Sequence, residues 1–124
     1  MKSRLFYFLL CLILGAQPVL AATPAVHDMA GIMLNLAHYP NDAQKAALQG
    51  IIANKATTEQ ERVLATAISN LEHTAADADK PKLKQVMNDV SAPAEVRDLA
   101  GIILNMNHKP STADKSKLQQ MMMK

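Results

Sequence analysis

Histidine and asparagine recur in this chain with a fixed spacing. Asn35, Asn70 and Asn105 each stand three residues before a histidine, and those histidines are His38, His73 and His108. An imidazole ring can bind a transition metal through either nitrogen, and it can also hydrogen-bond the free carbonyl groups at the end of a helix. The recurrence therefore leaves two chemical interpretations, one structural and one metal-binding.

The structural interpretation places each pair in the last turn of a helix. Residues three apart share a helix face, so both side chains would be directed at the following repeat. There the asparagine can satisfy backbone groups of the next loop, and a protonated histidine complements the helix dipole. We favour this interpretation. It assigns six residues as structural clamps between the repeats: Asn35, His38, Asn70, His73, Asn105 and His108.

The alternative is a site for copper or zinc formed by His38, His73 and His108. Equivalent residues on packed helices lie about 8–10 Å apart, whereas zinc–nitrogen bonds are about 2.0–2.1 Å long. Coordination by three histidines therefore requires the helices to close into a compact bundle that brings the first repeat to the last. The run of Met121, Met122 and Met123 adds thioethers, which favour Cu(I).

The helices that must position these residues can be inferred from a repeat of about 35 residues in the sequence. Four further positions are identical in all three copies: Ala30/Ala65/Ala100, Ala43/Ala78/Ala113, Lys45/Lys80/Lys115 and Leu48/Leu83/Leu118. A period of this length is typical of stacked helix pairs. The sequence predicts an all-α domain over residues 22–124, with three tandem helix-hairpin repeats at approximately 23–57, 58–92 and 93–124. These repeats form a short solenoid or a compact six-helix array.

Helix-capping residues mark where the predicted helices begin and end. The first helix should start at Thr23, which is followed by a proline at the first helical position, and should end near His38. That end is expected because Pro40 disfavours a helical conformation at the residue before it. Capping boxes are predicted at Asn41 with Gln44 and at Thr58 with Glu61. Asp79 should cap the second helix of the middle repeat.

Residues 1–21 have the pattern of a secretory signal peptide. Lys2 and Arg4 precede an apolar stretch that includes Cys11, and small residues around Ala21 favour cleavage after residue 21 or 22. Cleavage would leave no stable membrane anchor. We expect an exported protein, periplasmic or secreted, from a bacterium.

Composition argues against several classes of partner. The chain has 13 Lys and Arg against 11 Asp and Glu, and Lys2 and Arg4 account for the excess. The remaining neutral domain lacks the basic surface that nucleic acid or an anionic membrane attracts. Without the signal peptide it contains no cysteine and one aromatic residue, Tyr39, so neither thiol chemistry nor an aromatic sugar platform is expected.

No sequence motif indicates catalysis, so we do not expect an enzyme. The first helices of repeats one and three are more apolar than that of repeat two, and the residues concerned are Ile32, Leu34, Ile102 and Leu104. Apolar surface that a monomer leaves uncovered is typical of interaction sites. The sequence therefore favours a protein-binding or self-associating module, with metal binding as the alternative.

Overall fold

The computed structural model describes residues 23–123, and this part of the chain is all-α, with six helices and no strands. The helices are α1 (Pro24–Leu34), α2 (Asp42–Ala53), α3 (Glu59–Ser69), α4 (Lys80–Asn88), α5 (Ala94–Leu104) and α6 (Thr112–Met123). The predicted signal peptide with Cys11, both predicted cleavage positions and Lys124 lie outside the described residues. None of these six helices is long and apolar enough to cross a membrane.

Most of the predicted helix caps are confirmed. The Thr23 side chain accepts a hydrogen bond from the Val26 backbone N–H, which satisfies one free donor at the start of α1. Both predicted capping boxes are present, at the starts of α2 and α3. Asp79 does occupy the cap position of α4, but its side chain makes no capping bond, because it accepts a hydrogen bond from the Asn70 amide instead.

The predicted end of α1 near His38 is wrong. α1, α3 and α5 end at Leu34, Ser69 and Leu104, and the repeated asparagine that follows each of them is the C-terminal cap residue. The Asn35 backbone N–H still bonds to the Gly31 carbonyl, so the helix ladder closes there. Each histidine therefore lies in the loop beyond the helix rather than in its last turn.

The first helix of each repeat packs in the centre of the molecule. α1, α3 and α5 contact one another, and the alanine that recurs on all three, Ala30, Ala65 and Ala100, is fully buried. An alanine at this crossing lets three helix backbones approach closely, which a larger side chain would prevent. The central triangle is thus set by one repeated small residue.

The second helix of each repeat packs against the first helix of the next. α2 contacts α3, α4 contacts α5, and α6 contacts α1, so the last helix of the chain covers the first. The repeated leucine of these outer helices, Leu48, Leu83 and Leu118, is fully buried. One alanine and one leucine per repeat therefore occupy equivalent places in the core, and the three helix-to-helix loops are brought to the same end of the molecule.

Polar contacts join the helices away from these loops. Glu61 is 2% exposed, and its carboxylate accepts hydrogen bonds from the Thr23 hydroxyl, at 2.5 Å, and from the Thr58 backbone N–H. At the end of α4, hydrogen bonds from Ser91 and then from Gln60 hold the pKa of Asp89 below its usual range. These contacts fix where α1 and α4 lie relative to α3.

Candidate metal centre

The three histidines lie at the tips of the three loops that join α1 to α2, α3 to α4 and α5 to α6. In each loop the residues before and after the histidine form an isolated antiparallel pair, Ala37 with Tyr39, Glu72 with Thr74 and Asn107 with Lys109. The chain therefore reverses direction at the histidine itself. This reversal needs a backbone conformation that most residues avoid.

His38, His73 and His108 all have positive φ, at 73°, 69° and 69°, and they are the only non-glycine residues with this conformation in the described part of the chain. The left-handed region is disfavoured for residues with a Cβ and costs on the order of 1–3 kcal/mol. Such strain persists only where the surrounding structure enforces it, and it concentrates at ligand-binding sites.

Backbone hydrogen bonds join the three loop tips in a closed cycle. The His38 N–H donates to the His108 carbonyl at 3.2 Å, the His73 N–H to the His38 carbonyl at 2.7 Å, and the His108 N–H to the His73 carbonyl at 2.7 Å. Each bond crosses from one repeat to another. The cycle fixes the relative positions of the three histidine Cα atoms independently of their side chains.

The three imidazole rings converge on one point. Their Nδ1 atoms are 3.2 Å apart between His38 and His73, 3.3 Å between His38 and His108, and 2.9 Å between His73 and His108. The rings meet edge to face, with interplanar angles of 65°, 85° and 67°. Among the described residues, this cluster has three histidines and no carboxylate.

Hydrogen bonds between the rings cannot satisfy all three nitrogens. A ring nitrogen either carries a proton and donates or has a lone pair and accepts, so it cannot do both. In a triangle of three such atoms, at least two neighbours must therefore be of the same kind. A cation that takes one lone pair from each nitrogen removes this conflict.

The spacing of the nitrogens fits a metal ion. With zinc–nitrogen bonds of 2.0–2.1 Å, the nitrogens of a tetrahedral site are about 3.3 Å apart. The observed separations of 2.9–3.3 Å are close to that value, and an ion lying about 1 Å out of the nitrogen plane would be within bonding distance of all three. The three side chains are exposed, so an ion can reach them, and one coordination position is left for another ligand.

The side chains of Asn35 and Asn70 bond within their own repeats, so the predicted asparagine clamp is not seen at these two positions. The Asn35 amide donates to the Gly31 carbonyl of its own helix, the Asn70 amide donates to Asp79 of its own repeat, and both side chains are exposed. Asn105 is likewise an exposed C-terminal cap. At the loops, the histidines make the contacts between repeats, through their backbones and their rings.

The methionine run does not join the histidines. Thr112 starts α6 close to the His108 loop, and about 14 Å of helix separates it from Met121. Met121 is buried in the core, Met122 packs against Gly31, and Met123 is 85% exposed. The helix therefore carries Met121, Met122 and Met123 away from the loops, and this geometry does not support their predicted contribution to a copper site.

The predicted apolar interaction surface is only partly accessible. Ile102 is 2% exposed, and Ile32, Leu34 and Leu104 are half-buried against the core. Ile32 of α1 lies beside Met122 of α6, so the last helix partly covers it. The large apolar side chains that are exposed lie elsewhere: Tyr39, Met87, Val90, Met122 and Met123.

Sequence reasoning found the three histidines but missed their surroundings. Tyr39, Lys45, Asn70 and Glu72 line a cleft of which His73 forms one wall. The one signal that could have pointed to this cleft is the repeated lysine, because Lys45 recurs as Lys80 and Lys115 without a structural reason in the sequence.

The chain matches no protein-family model, and a comparison with curated proteins and with solved structures finds no match either.

Proposed function

We propose that this protein binds one transition metal ion, zinc or copper, through His38, His73 and His108. The observation that carries the proposal is the convergence of three Nδ1 atoms within 3.3 Å of one another, on three loops far apart in the sequence. The binding protein is exported, as the signal peptide predicts, and its role is to hold the ion rather than to catalyse a reaction.

The proposal includes an arrangement of the repeats as a closed ring rather than an open solenoid. The contact between α6 and α1 and the bond from the His38 N–H to the His108 carbonyl support it. An open stack would keep His38 and His108 apart by two repeat spacings, each about 8–10 Å. Closure of the ring brings His38 and His108 together beside His73, so that all three can bind the same ion.

The backbone conformation of the histidines also supports a binding role. Glycine adopts positive φ without strain, and asparagine is among the residues that tolerate it best. A requirement for the turn alone would be met by glycine or asparagine as well as by histidine, so the turn by itself does not call for three imidazoles. Metal binding explains why the side chain is the same in all three loops.

The donor set favours zinc or copper over harder cations. Imidazole nitrogen suits zinc, copper, iron and nickel, whereas magnesium and calcium prefer oxygen ligands. Three neutral ligands and an open fourth position are also the arrangement of zinc sites that exchange a water or another ligand. Because binding requires neutral rings, protons compete with the metal ion for these ligands.

Isothermal titration calorimetry of tag-free residues 22–124 with Zn²⁺ and with Cu²⁺ tests this proposal. We expect one ion per chain with micromolar or tighter affinity. His73→Asn keeps a residue that tolerates positive φ and should abolish that affinity. The matched control is His27→Asn, because His27 lies on α1 outside the cluster. Equal affinities for both variants would contradict the proposal.

Protein binding or self-association stays a prediction from the sequence. The burial of Ile102 removes one of the four residues on which it was based, and the exposed Met87, Val90 and Met123 do not belong to that set. The metal site has the stronger support because a specific geometry carries it.

A further inference from the structure

An open cleft of about 520 Å³ lies beside the proposed metal site, between the first and second repeats. Its walls come from Tyr39 beside the loop tip, from Lys45 near the start of α2, and from residues 69–73, which run from the last residue of α3 to His73 in the following loop. A volume of this size is within the range of small-molecule sites. A molecule in this cleft would be next to a metal ligand.

The ammonium group of Lys45 has no partner in the described part of the chain. The Lys45 side chain is exposed, and neither an ion pair nor a hydrogen bond within residues 23–123 involves it, although the Lys45 backbone N–H donates to the Asn41 carbonyl. Lys80, its counterpart in repeat two, is bound to the Asp77 carboxylate at 3.0 Å. The repeated lysine therefore has an acidic partner at Lys80, whereas Lys45 at the cleft has none and can bind a ligand.

Most of the repeated residues have clear structural roles, whereas the repeated lysine at Lys45 and the repeated alanine at Ala43 are exposed. The repeated alanine at Ala30 and leucine at Leu48 fill the core, the asparagine at Asn35 caps a helix, and the histidine at His38 forms a loop tip. Lysine recurs seven residues after each histidine, exposed at Lys45 and half-buried at Lys80 and Lys115, and it contributes to none of these roles. Its position in the wall of the cleft suggests a ligand with negative charge.

The proposed metal ion also favours a ligand with negative charge. Three imidazoles are neutral, so a bound Zn²⁺ or Co²⁺ would keep its full double charge and its fourth position would favour an anion. Lys45 adds one positive charge to the cleft and Glu72 one negative charge, so the cleft with the ion remains positive. Carboxylate and other oxyanions combine the required charge with an oxygen donor.

We propose that a small oxyanion, with a carboxylate as the preferred class, enters this cleft and supplies the fourth ligand of the metal ion, with the Lys45 ammonium and the Tyr39 hydroxyl group binding its outer oxygens. This inference rests on the proposed metal binding. It makes the protein a binder of a metal–carboxylate pair rather than of a bare ion.

Visible absorption of the Co²⁺-loaded protein tests the inference, because the d–d bands of cobalt report a change of ligand at the fourth position. Sodium acetate and sodium sulfate are titrated at constant ionic strength, which separates a carboxylate from an inorganic oxyanion. We expect saturable spectral changes with acetate. A response to sulfate alone would overturn the assignment to carboxylates.

Two variants identify the contribution of the cleft. Lys45→Met should weaken acetate binding roughly three- to fivefold, the size expected for one exposed charge pair, and leave Co²⁺ affinity unchanged. Lys55→Met is the control, since Lys55 is an exposed lysine in the turn after α2 and should change neither. Glu72→Gln should strengthen acetate binding, because it removes a competing negative charge.

The outcomes separate this inference from the one on which it rests. Co²⁺ binding without any spectral response to acetate would overturn the oxyanion site alone. An equal effect of Lys45→Met and Lys55→Met would do the same. Failure of Co²⁺ to bind would overturn both proposals.

Discussion

His38, His73 and His108 combine two properties that are individually uncommon, positive φ and a ring nitrogen within 3.3 Å of two others. The first is a cost to folding and the second is unfavourable without a cation, because three ring nitrogens cannot all be paired. A single bound ion accounts for both properties. Its three ligands must converge on one point, and the positive φ at the loop tips lets the imidazole rings do so.

Replacing a loop-tip histidine by glycine separates the backbone from the ligand. In His73→Gly the backbone N–H and carbonyl of the hydrogen-bonded cycle remain, and glycine adopts the left-handed conformation without strain. We expect metal-free His73→Gly to be as stable as the unaltered protein or more stable, by up to about 1 kcal/mol, in urea unfolding. The same variant should lose any stabilisation by zinc.

The opposite result would restore the clamp interpretation. If His73 mainly holds two repeats together through its ring, metal-free His73→Gly should unfold at clearly lower urea concentration than the unaltered protein. His27→Gly is not a suitable control because glycine would weaken α1. His27→Asn serves instead.

Among the elements, α1 and α3 are joined by a buried carboxylate. Glu61 bonds the Thr58 backbone within its own capping box and the Thr23 hydroxyl group at the start of α1. Glu61→Ala should lower the free energy of unfolding by about 1–3 kcal/mol, because it removes the two hydrogen bonds that this charged carboxylate accepts. Glu59→Ala is the matched control, since the Glu59 side chain lies in the same first turn of α3 and is 83% exposed.

Urea unfolding followed by circular dichroism measures both variants. Equal midpoints for Glu61→Ala and Glu59→Ala would show that the contact between α1 and α3 contributes nothing to stability. The metal affinity of Glu61→Ala should change little, because its contacts are with the starts of the helices and the histidines follow their ends.

The sequence predicted the helices better than their ends. Capping boxes at Asn41 and Thr58 depend on residues three apart, so local spacing was sufficient to identify them. The end of α1 was placed four residues too late, because Pro40 restricts only Tyr39. A left-handed residue at His38 is set by contacts with two other repeats, and local sequence does not encode those contacts.

At the scale of the whole molecule, the decisive feature is the contact between α6 and α1. The periodicity predicted helix pairs but left open whether they curl into a ring, because the curvature depends on small differences in packing at Ala30, Ala65 and Ala100. The same uncertainty kept the three-histidine site as an alternative. The three histidines can bind one ion only in the closed arrangement, so a test of the metal site also tests the closed ring.

Nitrogen-15 NMR of the histidine side chains, recorded with and without one equivalent of Zn²⁺, tests coordination by the three histidines most directly. We expect the Nδ1 resonances of His38, His73 and His108 to shift together and saturate at one ion per chain, while those of His27 stay in place. Shifts confined to one or two of the three histidines, or no shift at all, would contradict coordination by a closed ring of three repeats.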